Sequence, residues 1–238
     1  MSAWAAFLRT DVRRIRRDPM LVMLFVVPLF VALGMRPLWP WTAQRVTVLN
    51  PLVIQGLFTA ALLLLTPLMF GFVVGLMLLD DRDEGALAAV AMTPTGRSGF
   101  LVRRLALPVL WCVPVSFAVT WLAALPLGGP LRFTAIAGLA GLETPLLALF
   151  MTAFAGNKVE GMAMAKVASV LLTWGGLALL LEPPLNWTGA AAPAWWLIRL
   201  LFARSLPASQ FTWLFGGALA VHLLALAVLL QLFRRRTT

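Results

Sequence analysis

Four of the nine acidic residues in this 238-residue chain fall within five consecutive positions. Asp80, Asp81, Asp83 and Glu84 open the stretch DDRDEGALAAVAMTPTGR, in which EGALAAVAM predicts a short helix and TPTG ends it. Carboxylates at the start of a helix interact favourably with its dipole. A solvated turn would account for these charges, but not for the apolar remainder of the helix. We therefore predict that this stretch docks onto another protein.

Two further ionisable side chains, Glu143 and His222, lie in the middle of long apolar segments. A charge inside a membrane is costly unless it faces a cavity or a partner, so both are candidates for a substrate pathway. Glu143 would neutralise a cationic compound or carry a proton; alternatively, it stays protonated or bonds to a neighbouring helix beside Pro145. Arg199 is a third candidate, which would contact phosphates or an anionic substrate, or serve only as an interfacial anchor.

The composition indicates that membrane helices position these side chains. The chain is 61% hydrophobic and 12% charged, with a mean hydropathy of +0.93, whereas globular domains average about 25% charged residues. A helix of about 20 apolar residues crosses a hydrocarbon core of about 30 Å. The predicted fold class is therefore an all-α integral membrane protein with six transmembrane helices, at about 20–36, 51–79, 106–127, 133–155, 161–181 and 211–233.

The distribution of basic residues predicts the orientation of these spans. Six spans place both termini on one side, and fourteen of the nineteen Lys and Arg residues fall in the segments on that side. Positively charged segments remain in the cytoplasm. We therefore predict a multi-pass protein of the inner (plasma) membrane with cytoplasmic N- and C-termini. The net charge of +10 is explained by this topology, and no nucleic-acid partner is expected.

The segment before the first span, residues 1–18, is predicted to be an amphipathic helix along the cytoplasmic interface. It places Trp4, Leu8, Val12 and Ile15 at helical spacing, with arginines on the other face. The arginines would also enforce the topology.

The second span, 51–79, is longer than one crossing requires, because its roughly 29 residues reach about 44 Å as a helix. It is predicted to tilt, to bend near Pro67 or to extend into the cytoplasm. Gly71 and Gly75 form a pair of small residues that would let another helix approach closely.

Several stretches resemble ABC-2-type transporter permeases, and together they cover essentially the whole chain. LLDDRDEGALAAVAMTPTGRSGFLVRRL looks like the loop that carries the coupling helix of that family, and DVRRIRRDPMLVMLFVVPLF looks like its connecting helix and first span. NKVEGMAMAK resembles the second cytoplasmic turn of a drug-export subgroup that includes fluoroquinolone-type permeases. EPPLNWTGAAAPAWWLIRLLFARSLPASQ resembles the outer re-entrant hairpin before the sixth span, with Trp187, Trp195 and Trp196 as expected headgroup anchors.

The resemblance implies one ABC-2-type transmembrane domain over residues 1–238, paired with a second permease subunit that is identical or homologous. Two copies of a P-loop ATPase subunit would dock beneath it and bind ATP and Mg²⁺, since the chain has no G-x-x-x-x-G-K-[ST] motif and no cofactor of its own is expected. The implied ATPase-coupling residues belong to two groups: Asp83, Glu84, Gly85, Leu87, Thr93, Pro94 and Arg97 in the first loop, and Asn157, Lys158, Glu160 and Gly161 in the second.

The implied function is export of a small hydrophobic or amphiphilic compound, drug-like or lipid-like, as in multidrug efflux and antibiotic resistance. Two alternatives are a haem-exporter-type permease subunit and a non-transport membrane anchor or assembly protein. An enzyme is not expected, because one histidine excludes bis-histidine haem ligation, and Ser98 lies in a basic loop far in sequence from His222.

Overall fold

The computed structural model describes residues 12–13, 16–92, 96–127, 129–203 and 206–237, apart from the side chains of Met20, Phe25, Leu87, Ala88, Ala91, Arg97, Arg236 and Thr237. These described residues form α-helices and one 3-10 helix, Leu185–Ala191, and they contain no β-strand. The α-helices are α1 Pro19–Arg45, α2 Pro51–Asp83, α3 Ala86–Ala91, α4 Gly96–Leu122, α5 Pro130–Gly141, α6 Glu143–Phe154, α7 Lys158–Ala178, α8 Pro193–Phe202 and α9 Ala208–Thr237.

Within the described residues, five helical segments are long and apolar enough to cross a membrane: Pro51–Asp83, Ser98–Leu122, Pro130–Phe154, Lys158–Ala178 and Ala208–Arg235. The chain is therefore an all-helical multi-pass membrane protein. The predicted first span lies within α1, and the count of six spans stays a prediction. Of the predicted amphipathic helix over residues 1–18, only four residues before Asp18 are described, and all four are helical.

Helix α2 is the longest element and runs unbroken through Pro67 to Asp83. The side chain of Asn50 accepts a hydrogen bond from the backbone N–H of Leu52 at 2.8 Å and caps the helix, while Pro51 occupies its first turn. Its 33 residues span about 50 Å. The helix continues four residues beyond the predicted end of the span at residue 79, and its tilt, bend or extension into the cytoplasm stays a prediction.

Two of the three glycines of α2, Gly71 and Gly75, pack against α6. A Cβ added to Gly71 would lie 2.7 Å from the backbone oxygen of Thr144, and one added to Gly75 would lie 2.7 Å from the sulfur of Met151. The absence of side chains therefore lets the two helices approach closely, as the spacing of the glycines predicts.

The fourth predicted span, 133–155, is divided into α5 and α6 by a turn at Leu142. Pro145 explains the position of this turn, because a proline has no N–H and its ring clashes with the carbonyl of the residue four positions earlier, here Gly141. The turn places Glu143 at the first position of α6, midway along the span.

Two span boundaries differ from the predictions. Helix α4 begins at Gly96 rather than near residue 106, so the arginine-rich start of the third span is already helical. Helix α1 extends to Arg45 rather than ending near residue 36, although Pro37 and Pro40 lie within it. The indole N–H of Trp39 donates to the carbonyl of Ala123 at 3.1 Å, which holds this end of α1 against the end of α4.

The segment between α7 and α9 consists of the 3-10 helix and α8, at the place predicted for the outer hairpin. Trp195 is fully buried, and its indole N–H donates to the carbonyl of Asn186 at 2.9 Å. The prediction that Trp195 anchors the chain in the headgroup region is therefore wrong: its ring forms the internal core of the hairpin. Trp187 remains half exposed and retains the properties of an interfacial side chain.

Candidate functional site

The acidic stretch divides into an internal half and an exposed half. Asp81 extends the buried stripe of Val74 and Leu78 along α2, and it forms a buried ion pair with Arg104 of α4. A buried carboxylate requires such a partner, because an isolated charge in the interior is strongly unfavourable. Asp81 therefore joins α2 to α4 and is inaccessible to a docking protein.

Two other contacts fasten the same end of α2. The ammonium group of Lys158, at the start of α7, lies 3.1 Å from the carboxylate of Asp80. The guanidinium of Arg82 donates to the carbonyl oxygens of Thr152 and Ala155 at 3.3 and 3.0 Å, at the last turn of α6. An arginine at this position satisfies carbonyls that have no partner within their helix. The end of α2 is thus bound to α4, α6 and α7 together.

The remaining acids, Asp83 and Glu84, are exposed beside a sharp change of direction. Gly85 has φ +74°, a left-handed conformation that favours glycine, and it separates α2 from the six-residue helix α3. Met92 directly follows α3 and is 90% exposed. We call Asp83, Glu84, Gly85 and Met92 the coupling surface, because exposed negative charge lies before α3 and an exposed apolar side chain follows it.

Part of the first predicted coupling group cannot be placed. Thr93 and Pro94 lie outside the described residues, as do the side chains of Leu87 and Arg97. Their predicted contact with an ATPase stays a prediction.

The second predicted coupling group has clear roles within the chain. The Asn157 side chain accepts from the backbone N–H of Glu160 at 3.0 Å, and the Glu160 carboxylate accepts from the backbone N–H of Gly156 at 2.6 Å. These bonds cap the start of α7. A Cβ on Gly161 would lie 2.3 Å from a methyl carbon of Leu79, so this glycine allows α7 to pack on α2. Their predicted docking role stays a prediction.

A second candidate site lies inside the bundle, where Glu143 and His222 meet. His222 is fully buried and Glu143 nearly so. The Nδ1 of His222 lies 2.8 Å from the carbonyl oxygen of Ala218, and because a carbonyl only accepts, Nδ1 carries a hydrogen and donates. The other ring nitrogen, Nε2, faces Oε1 of Glu143 at 3.3 Å. Neither of these two facing atoms makes a hydrogen bond of normal geometry within the described part of the chain.

Glu143 also lines a cavity of about 290 Å³ between α6, α7, α9 and the predicted outer hairpin. Apart from Glu143 and Thr188, its walls are apolar and include Leu147, Phe150, Leu172, Trp174, Pro193 and Leu229. A carboxylate at the edge of an apolar cavity gives that cavity one position with a preference for positive charge.

Arg199 is placed apart from this pair. Its guanidinium lies 4.7 Å from the ring centroids of both Trp187 and Trp195, and it does not line the cavity beside Glu143. These cation–π contacts hold the predicted outer hairpin together. Of the three predicted substrate-pathway residues, the structure brings together Glu143 and His222 only.

Sequence reasoning missed Arg82 and Arg104. Both were counted only as evidence for topology, although each anchors the end of α2. The helical spacing of Val74, Leu78 and Asp81 was the available signal, because it places Asp81 on the same face of α2 as the two apolar residues. A carboxylate on a buried face requires a basic partner.

Comparison with known proteins gives a consistent result over nearly the whole length. The family described as "Fluoroquinolones export permease protein Rv2686c-like" matches residues 11–230. The fluoroquinolones export permease proteins Rv2686c and MT2760, from two strains of Mycobacterium tuberculosis, are each 30% identical to this chain over 241 aligned positions. The alignments cover 98% of this chain and 93% of each relative. No solved structure matches.

Proposed function

Because this chain belongs to the Rv2686c-like family of fluoroquinolone export permeases, we propose that it is the membrane-spanning subunit of an ATP-binding-cassette exporter. It moves a small hydrophobic or amphiphilic compound out of the cytoplasm. The names of its relatives support a drug-like substrate. On this proposal the chain lies in the plasma membrane with both termini in the cytoplasm, as the distribution of its basic residues predicts.

The energy comes from a separate protein, a P-loop ATPase present in two copies that binds ATP and Mg²⁺. The observation that carries this part is the coupling surface, where Asp83 and Glu84 are exposed before the short helix α3 and Met92 is exposed after it. At the predicted cytoplasmic end, this combination suits a protein partner better than water, because Met92 gains from burial while the acids select a basic surface. A second permease subunit, identical or homologous, completes the complex.

The contacts behind the coupling surface explain how docking would act on the bundle. A partner that holds α3 pulls on the end of α2, and the Asp81–Arg104 and Asp80–Lys158 pairs connect that end to α4 and α7. A change of shape in the ATPase therefore reaches several membrane helices together. It shifts the transporter between conformations only if its contacts differ between them.

Charge reversal at Asp83 and Glu84 tests the proposal. The double variant Asp83→Lys, Glu84→Lys and the wild type are each purified from native membranes in mild detergent, and a co-purifying P-loop ATPase is quantified by mass spectrometry. We expect the ATPase to be present near one-to-one with the wild type and to be lost from the variant, because like charges then face each other across the interface.

Glu182→Lys is the matched control, since Glu182 is an exposed carboxylate on the segment predicted to lie outside the cell. This variant should retain the ATPase, and all three proteins should insert into the membrane in similar amounts. Retention of the ATPase by the double variant would contradict the assigned docking site.

A further inference from the structure

We propose that the cavity beside Glu143 binds a small, lipid-soluble organic cation, whose positive charge is balanced by the Glu143 carboxylate that faces His222. This inference rests on the proposed function, since it assigns a substrate class to the exporter. It is carried by an almost fully buried carboxylate whose Oε1 atom has no hydrogen-bond partner among the described residues and which lines an apolar cavity.

The backbone around the turn at Leu142 positions this carboxylate. Glu143 begins α6 directly after the turn, and its neighbour Thr144 is fully buried. The hydroxyl of Thr144 lies 3.3 Å from the sulfur of Cys112 and donates to the carbonyl of Pro67 at 3.4 Å. Contacts to α2 and α4 on one side of the turn thus leave Glu143 facing α9 and the cavity.

The net charge of the Glu143–His222 pair determines which ligand charge the cavity favours. With Nδ1 of His222 donating to Ala218, one additional proton between Nε2 and Glu143 makes the pair neutral, whichever of the two groups carries it. Loss of that proton would leave a single negative charge in an apolar interior, which is unfavourable. A bound cation restores neutrality, so a cation and the proton compete for the site.

The cavity walls favour an organic cation over a metal ion. A metal ion needs several oxygen, nitrogen or sulfur ligands, and the described residues contain no group of three acidic, histidine or cysteine side chains that could hold one. Phe150 and Trp174 offer aromatic surface to an apolar body instead. The volume of about 290 Å³ lies at the small end of ligand sites, which suits a compound of one or two rings.

Other titratable groups on the helices packed around the pair are engaged elsewhere. Cys112 of α4 contacts Thr144, and Arg199 of α8 stacks on tryptophan rings. Lys166 of α7 is exposed and does not line the cavity, while the acids of α2 and Arg104 of α4 lie at the opposite end of α6 from Glu143. The charge that faces the cavity therefore comes from the Glu143–His222 pair.

The test uses two probes of nearly identical shape, the permanent cation benzyltrimethylammonium and its neutral carbon analogue neopentylbenzene. Binding of each to the purified full chain in lipid nanodiscs is measured by equilibrium dialysis. We expect Glu143→Gln to weaken binding of the cation by about tenfold or more and to leave the neutral probe unaffected, because only the charge attraction is removed.

Glu182→Gln is the matched control and should bind both probes as the wild type does, because Glu182 is an exposed carboxylate that does not line the cavity. Ala225→Phe, which fills the cavity from α9, should weaken both probes and provides a second test if Glu143→Gln does not fold. Unchanged cation binding by Glu143→Gln, or by Ala225→Phe, would overturn the proposal. Because the isolated chain is tested, loss of the ATPase contact alone would not change these results, so the two proposals fail separately.

Discussion

Neighbouring carboxylates at the end of α2 differ in burial, and this difference sets their energetic roles. Asp81 and Arg104 are both about 95% buried, whereas Asp80 pairs with Lys158, whose side chain is 40% exposed. Removing one member of a buried pair leaves an uncompensated charge in the interior. An exposed pair is screened by water and contributes little.

Neutralising Asp81 should therefore destabilise the protein far more than neutralising Asp80. We expect Asp81→Asn to cost about 3–5 kcal/mol because Arg104 is left buried without its counter-charge. Asp80→Asn should cost less than about 1 kcal/mol. Unfolding of both variants in mixed micelles with increasing denaturing detergent would give the two values, and equal values would contradict the burial of the Asp81–Arg104 pair.

At the level of elements, the contact between helix α2 and helix α6 depends on a glycine that faces backbone. Among the described glycines, Gly71 is the one at which an added Cβ would come closest to a backbone atom. At Gly71 a methyl group would meet the backbone oxygen of Thr144, which cannot rotate away as a side chain can. The surface of Gly138 in α5 is open, with nothing within 4 Å of an added Cβ. A comparison of alanine substitutions at these two helical glycines therefore distinguishes the effect of close helix packing from the effect of helix propensity.

Replacement by alanine should act in opposite directions at the two positions. Gly71→Ala should destabilise the protein by about 1–3 kcal/mol, because the added methyl group forces α2 and α6 apart. Gly138→Ala should be neutral or should stabilise by about 0.5–1 kcal/mol, because alanine favours the helix. The same unfolding measurement applies, and a stable Gly71→Ala protein would show that α6 is not seated on this glycine.

The sequence predicted which long helices are present better than it predicted where each helix begins and ends. Hydropathy located the apolar core of each long helix, but it is blind to helical turns outside the membrane, so the charged start of α4 was assigned to a loop. The turn at Leu142 is explained by Pro145, three residues later. The burial of Trp195 depends on how the 3-10 helix folds back onto α8, which no local pattern encodes.

The candidate sites were predictable to different degrees. The acidic stretch and the buried positions of Glu143 and His222 stand out by composition alone. Their pairing across α6 and α9 could not be predicted, because it depends on the rotation of two helices about their axes. The division between internal Asp81 and exposed Asp83 likewise depends on which face of α2 meets α4.

For the whole molecule, the arrangement of both ends relative to the membrane is open to a direct experiment. The single native cysteine, Cys112, is fully buried, so introduced cysteines report on their own positions. Val12, Val48 and Met92 are exposed in the segments before α1, between α1 and α2, and after α3. Six spans place the first and third of these in the cytoplasm and the second outside.

Single cysteine variants at these positions should react differently with a membrane-impermeant maleimide. In intact cells stripped of any outer barrier, Val48→Cys should be labelled, whereas Val12→Cys and Met92→Cys should react only after the membrane is permeabilised. Labelling of both Val12→Cys and Val48→Cys from outside, with Met92→Cys protected, would show that α1 does not cross and that the protein has five spans.

The unbroken course of α2 gives the molecule a lever. The contact of Gly71 and Gly75 with α6 lies between the two ends of α2 and serves as a pivot, while the ion pairs of Asp80 and Asp81 join the shorter arm to α7 and α4. The pivot lies about 15 Å from Asp83 and about 33 Å from Pro51, so a tilt of about 10° moves these ends by about 3 Å and about 6 Å. If α2 pivots as a rigid rod, a movement of its end at the coupling surface displaces Asn50, at the other end of the helix, in the opposite direction.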